Sequence, residues 1–139
     1  MTRNDLAQAQ ITRWGKQGNA DRLLELSAIL RALQALRRNF TPPHIPFEQV
    51  AELSSKLIDL SGQITSAGRA GDEPFDAAVA GAARHARNVG LCLHRAADLS
   101  EESPSLVRQA IAEREKCSAQ LGVALGRLRA LGFPVPDAY

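Results

Sequence analysis

This chain has few cysteines and few aromatic residues, and it has no long hydrophobic run. Its two cysteines are too few for the disulfide framework of a small secreted protein. No apolar stretch approaches the roughly 18 residues of a membrane span, and the first ten residues, MTRNDLAQAQ, lack the apolar centre of a signal peptide. We therefore expect a cytoplasmic protein without membrane contacts, bacterial in character because its composition is rich in arginine and alanine.

Strong net charge is also lacking, since the formal charge is +2. A balance this small creates no global field that would draw in nucleic acid or an anionic membrane. The charges are nevertheless unevenly distributed: residues 1–40 contain seven basic and three acidic side chains, and residues 41–76 contain two basic and six acidic ones. We expect these two regions to be complementary neighbours. A basic surface that faces a ligand is the alternative.

Apolar residues repeat at steps of three and four through four segments, which places each set on one face of a helix. With 139 residues, the chain has the length of one domain. The pattern predicts an all-α fold, a single-domain helical bundle over residues 1–139. The stripes are Leu26, Ile29, Leu33, Leu36, Phe40; Val50, Leu53, Leu57, Leu60, Ile64; Phe75, Val79, Ala82, Ala86, Val89, Leu93; and Val107, Ile111, Leu121, Leu125, Leu128.

Glycine and proline mark the ends of the helices. Gly15 and Gly18 are expected to end the first helix, and Asn19 to cap the second. The prolines between residues 41 and 46 predict a stiff connector, and those after Gly132 predict an extended tail over residues 133–139 that covers the bundle end. The chain thus contains a short helix and four long ones, predicted at about 5–16, 19–38, 46–66, 72–99 and 103–131.

No catalytic or metal-binding constellation is evident in the sequence. His85 and Cys92 share a helix face, but His94 points about 200° away from Cys92, and metal pairs on helices use steps of three or four. Cys92 is expected to be a structural residue about one turn out of register with Cys117, which disfavours a disulfide. The histidines are expected to be solvated or at an interface. We therefore predict no catalytic residue, no metal ligand and no cofactor.

The apolar stripes on the second and last helices are wider than a four-helix seam requires. Excess apolar surface of this kind is typical of an oligomer or partner interface. We therefore predict a non-enzymatic module that binds another protein through a helix face, or a second copy of itself. The alternative is a helix buried on several sides by its own bundle. The residues predicted to serve as core and partner-binding surface are Leu23, Leu26, Leu30, Leu33, Leu121, Leu125 and Leu128.

Two other classes of function remain open. A row of arginines, Arg84, Arg87, Arg95 and Arg108, could follow a phosphate backbone, although no helix-turn-helix pattern or interleaved aromatic residue accompanies it. A small-molecule-binding or enzymatic bundle with an unrecognised site between helices is the other alternative.

The segment from Gly18 to Leu26, continuing to Arg37 and Arg38, resembles the opening of flagellar and type III export chaperones. Those proteins often show a glycine–polar pair and a leucine-rich helix that ends in basic residues. The last helix, from Glu113 to Leu131, is loosely similar to their partner-binding helix. The resemblance implies a small cytoplasmic protein that shields a helical partner. The proline-rich connector and the fifth helix depart from that pattern.

Overall fold

The computed structural model of this chain describes residues 3–37, 47–96 and 103–135. Within these ranges the fold is helical and contains no strand, which confirms the predicted all-α bundle with its short first helix. The predicted connector at 41–46, the predicted end of the fourth helix at Leu99 and the tail residues 136–139 lie outside the described residues. The helices are α1 Arg3–Trp14, α2 Ala20–Arg37, α3 Phe47–Ser66, α4 Glu73–Ala96 and α5 Ser103–Ala130.

A kink at Gly15–Asn19 separates α1 from α2. Gly18 adopts a positive φ of 89° there, a conformation that favours glycine, so the predicted stop is present. The prediction that Asn19 caps α2 through its side chain is wrong. Its amide nitrogen donates a hydrogen bond to the carbonyl of Trp14 at 2.8 Å, and its oxygen accepts one from Arg22 at 2.6 Å. The buried Asn19 side chain therefore satisfies a backbone carbonyl at the C-terminal end of α1.

Trp14 connects the end of α1 to the loop between α3 and α4. Its indole N–H donates to the carbonyl of Gly68 at 3.1 Å, and its ring meets Phe75 edge-on with centroids 5.3 Å apart. On the other side of the same loop, the Asp76 carboxylate accepts from the backbone N–H groups of Ala70 and Gly71. These contacts fix the path of the chain into α4.

Helix α4 is the centre of the bundle and packs most extensively against α5 and α3. Its buried positions are largely alanine and glycine, so its neighbours approach closely. A Cβ atom at Gly90 would lie 2.8 Å from Cγ1 of Ile58, and the Ser54 hydroxyl donates to the Gly90 carbonyl at 2.6 Å. On the opposite side, the Cys117 thiol lies 3.3 Å from the carbonyl oxygen of Ala82. Small residues thus set both interhelical distances.

The seven leucines predicted to form core and partner-binding surface all lie in the core, and none is more than 5% exposed. Helix α2 packs against both α3 and α5, and Arg114 of α5 donates to the Leu30 carbonyl at 2.9 Å. The alternative interpretation, burial on several sides by the bundle itself, accounts for the wide stripe of α2. A partner would reach these leucines only if a helix moved away, and their partner-binding role stays a prediction.

The segment after α5 folds back over the end of the bundle. Gly132 has a φ of 95°, after which the Phe133 ring lies against Gly15, where an added Cβ would come within 2.7 Å of its Cζ atom. Arg129 donates to the Val135 carbonyl at 3.3 Å. Residues 133–135 therefore cover the kink between α1 and α2.

Candidate functional site

Two of the three large apolar side chains exposed in the described part of the chain lie on α4 and α5. They are Leu91, which is 41% exposed, and Val123, which is 60% exposed; the third, Leu6, lies on α1. Buried apolar side chains stabilise the fold, whereas exposed ones of this size need another explanation when they share a surface. The outward surface of α4 and α5 is therefore the candidate functional site.

Helices α4 and α5 form an antiparallel hairpin, because Cys92 contacts Gln109 at one end while Cys117 contacts Ala82 at the other. A surface groove of about 380 Å³ runs between them. Its apolar lining includes Leu91 and Ala112. The residues that line this α4/α5 groove are Asn88, Leu91, Cys92, Arg95, Gln109, Ala112, Glu113 and Lys116.

The groove is the middle of a longer exposed surface, which we call the outer face. Helical spacing places positions 84, 91 and 95 of α4 on one line, and positions 108, 112, 116, 119 and 123 of α5 on another. Because the groove joins the two lines, they face the same side of the hairpin. With Arg87 at its edge, the outer face consists of the exposed residues Arg84, Arg87, Leu91, Arg95, Arg108, Ala112, Lys116, Ala119 and Val123.

All four arginines of the predicted row are exposed and belong to the outer face. None of them forms an ion pair with a residue that the structure describes. Arg114, on the inward side of α5, contrasts with them, because it is bonded to both Leu30 and Glu115. Within the described ranges, the positive charge of these four arginines is not neutralised by an ion pair.

A cluster around Glu113 closes one side of the groove, and sequence reasoning missed it. The carboxylate of Glu113 lies 2.7 Å from Nδ1 of His85 and accepts hydrogen bonds from Asn88 and Lys116, both at 3.3 Å. The hydrogen bond from His85 lowers the pKa of Glu113, against the opposing effect of burial. His85 was expected at a solvated or interface position; its side chain is 16% exposed and links α4 to α5 within the chain.

The two cysteines are free thiols in different environments. Cys92 was expected to be a structural core residue, but it is half-buried in the groove wall, where burial raises its pKa. Cys117 is fully buried, and desolvation raises its pKa to about 12. The hairpin register places Cys92 beside Gln109, so Cys92 and Cys117 are about two turns out of register and not the one turn expected. Cys92 is therefore the accessible thiol.

No other surface combines these features among the described residues. A depression of about 740 Å³ between α1 and the end of α5 mixes Asp5 with Arg13 and Lys16 and contains none of the exposed large apolar side chains. The described ranges contain no group of three or more His, Cys, Asp or Glu residues arranged to hold a metal ion. The outer face consequently offers a binding surface, with apolar contacts at its centre and cations around them.

Across the described ranges, no helix is both long and apolar enough to cross a membrane. The chain matches no protein-family model, and comparisons with curated proteins and with solved structures give no match either. The assignment of function therefore rests on the geometry of the outer face.

Proposed function

We propose that this chain acts by binding another protein through the outer face of the α4/α5 hairpin, in the role of a chaperone, an adaptor or a regulatory subunit. The observation that carries the proposal is the shared exposure of Leu91 and Val123 in a chain whose other large apolar side chains are mostly buried. Covering the exposed part of each side chain would contribute roughly 1 kcal/mol to binding. The cytoplasmic location and the resemblance to export chaperones are consistent with this role and stay predictions.

The experiment is affinity capture from the native extract with three forms of the chain: wild type, the double variant Leu91→Glu with Val123→Glu, and the control Leu6→Glu. Leu6 is 49% exposed and lies on α1, so its variant matches the change in charge without touching the outer face. Circular dichroism and thermal unfolding establish that each variant folds. We expect one stoichiometric protein to be retained by wild type and by Leu6→Glu, and to be lost by the double variant. Capture of that protein by the double variant, or recovery of the chain alone, would contradict the proposal.

Nucleic-acid binding is the second candidate, and the exposed arginines of the outer face, which form no ion pair with a described residue, favour it. Phosphate contacts are sequence-independent and weaken steeply as salt increases. Exposed leucine and valine on the same face do not contribute to such contacts, which is why protein binding is preferred. Binding of random duplex DNA with a steep salt dependence, abolished by Arg84→Glu with Arg95→Glu and unaffected by the leucine and valine changes, would favour this candidate instead.

A further inference from the structure

The apolar part of the outer face has the dimensions of a short helix. Ala112, Ala119 and Val123 follow one another along α5 with Lys116 between the two alanines, and Leu91 lies beside Ala112 in the groove. The small alanines leave room for a partner backbone to approach between the larger side chains. From Ala112 to Val123 the helix rises about 16 Å, which is the length of roughly three helical turns. A partner helix with apolar residues at steps of three and four would match this row.

The exposed charged residues of the outer face are four arginines and one lysine, and the acidic neighbour Glu115 is paired with Arg114. Since Cys92 pairs with Gln109 and a Cβ at Gly81 would touch Gln120, the hairpin register sets Arg95 near the Arg108 end of the row, and Arg84 near Lys116. The acidic side chain that lines the groove, Glu113, already has both carboxylate oxygens engaged by His85, Asn88 and Lys116. A ligand on this face therefore meets Arg95 and Arg108 near Leu91, and Arg84 and Lys116 midway along the row, whereas Val123 lies about two turns beyond them.

We propose that the outer face of the α4/α5 hairpin receives an acidic amphipathic helix of about three turns, with its apolar stripe on Leu91 and Val123 and its carboxylates opposite Arg84, Arg95 and Arg108. This inference rests on the proposed protein-binding function and names the chemistry of the partner. Complementary charge favours association and disfavours basic partners. A second copy of the chain docked by the same face would bring like charges together, so the partner is a different, acidic segment.

The test uses two fluorescein-labelled synthetic peptides that share a helical leucine stripe and differ only in carrying glutamate or lysine at the remaining positions. Fluorescence polarisation measures their binding to the full chain. We expect the glutamate peptide to bind about tenfold more tightly than the lysine peptide, and its affinity to fall as salt screens the exposed charges. The glutamate peptide should also slow alkylation of Cys92 in the groove wall.

Charge reversal locates the site. Arg84→Glu combined with Arg95→Glu should weaken binding of the glutamate peptide about tenfold, since several exposed pairs change from attraction to repulsion. Arg69→Glu is the matched control, because Arg69 is an exposed arginine in the loop between α3 and α4, away from the outer face. It should leave affinity unchanged, and circular dichroism should show all variants folded.

Three results would overturn the inference: equal binding of both peptides, binding of random duplex DNA but of neither peptide, or sedimentation of the chain as a dimer that excludes the peptide. Capture from the native extract separates this inference from the proposed function. A partner lost with Leu91→Glu and Val123→Glu but retained with Arg84→Glu and Arg95→Glu would preserve protein binding and contradict an acidic partner. A partner whose capture is unaffected by either pair of changes would contradict both the acidic partner and the proposed protein-binding function.

Discussion

Helix α2 and the α4/α5 hairpin use apolar residues in opposite ways. Helix α2 is rich in leucine and buries Leu23, Leu26, Leu30 and Leu33 completely or nearly so. The hairpin packs largely through alanine and glycine on α4, and it leaves Leu91 and Val123 outside. The helix with the wider apolar stripe thus exposes no large apolar side chain among its described residues, whereas the hairpin exposes two.

The difference follows from how closely each helix approaches its neighbours. Bulky side chains keep α2 apart from α3 and α5, and they fill the space between them from several sides. Small residues let α3, α4 and α5 pack at short distance. The core between these helices is filled without Leu91 and Val123, which are exposed on the outward surface of the hairpin. A large apolar residue there contributes little to folding, and its presence favours a role in binding.

Truncation of one leucine in each region should have the largest effect and should separate the two regions most clearly. Leu26→Ala removes a side chain that is fully buried and should cost about 2–5 kcal/mol of the free energy of unfolding. Leu91→Ala should change it by less than about 0.5 kcal/mol, because that side chain is 41% exposed. Urea denaturation measures both values. Comparable losses would show that the hairpin surface is part of the core.

Substitution of two glycines by alanine tests whether α4 packs more closely against its neighbours than the exposed part of α5 does. Gly90→Ala should destabilise the protein by about 1–3 kcal/mol, because the new Cβ would lie 2.8 Å from Ile58 and 3.1 Å from the Ser54 carbonyl. Gly126→Ala on α5 is the control, since nothing lies within 4 Å of its added Cβ. That change should stabilise the helix by up to about 1 kcal/mol. Thermal unfolding of both variants measures the difference, and stabilisation by Gly90→Ala would argue against close packing.

Replacing either of two buried serines with alanine should change the free energy of unfolding, and the two changes should have opposite signs. The Ser27 hydroxyl on α2 is buried without a hydrogen-bond partner among the described residues, so Ser27→Ala should raise the free energy of unfolding by about 1 kcal/mol. The Ser54 hydroxyl donates to Gly90 at 2.6 Å, so Ser54→Ala should lower it by about 1 kcal/mol. Chemical denaturation resolves changes of this size. A loss of stability in Ser27→Ala would mean that its hydroxyl is bonded after all.

The smallest expected effect is a pH dependence of thermal stability that arises from the α4/α5 hairpin and not from α2. Hydrogen bonding to His85 holds the pKa of Glu113 below its ordinary value of 4.5. A carboxyl group whose pKa is lower in the folded state stabilises the fold above its unfolded pKa, and this contribution is lost as pH falls through the folded pKa. Wild type should therefore exceed Glu113→Gln in melting temperature near neutral pH, and the difference should shrink below pH 4.5. A difference that is constant across that range would contradict the assigned bond.

Periodicity, glycine and proline were enough to predict the helices and most of their ends, because these signals act within one helix. They were not enough to divide the leucines between core and surface, because stripe width does not reveal how many neighbours a helix has. The bond between His85 and Glu113 depends on the register of α4 against α5, which the contacts of buried small residues set. Asn19 was misassigned for a similar reason, since its amide closes the preceding helix across a kink.

The most direct test of binding at the outer face is the rate at which iodoacetamide alkylates Cys92 in the free chain and in the chain bound to its captured partner. Cys117 is an internal reference, because it is fully buried and its raised pKa of about 12 keeps it protonated and unreactive in the folded state. If the partner covers the α4/α5 groove, Cys92 should react in the free chain and be protected in the complex, while Cys117 stays unmodified in both. Equal reaction rates of Cys92 in the free and bound chains would show that the partner binds elsewhere.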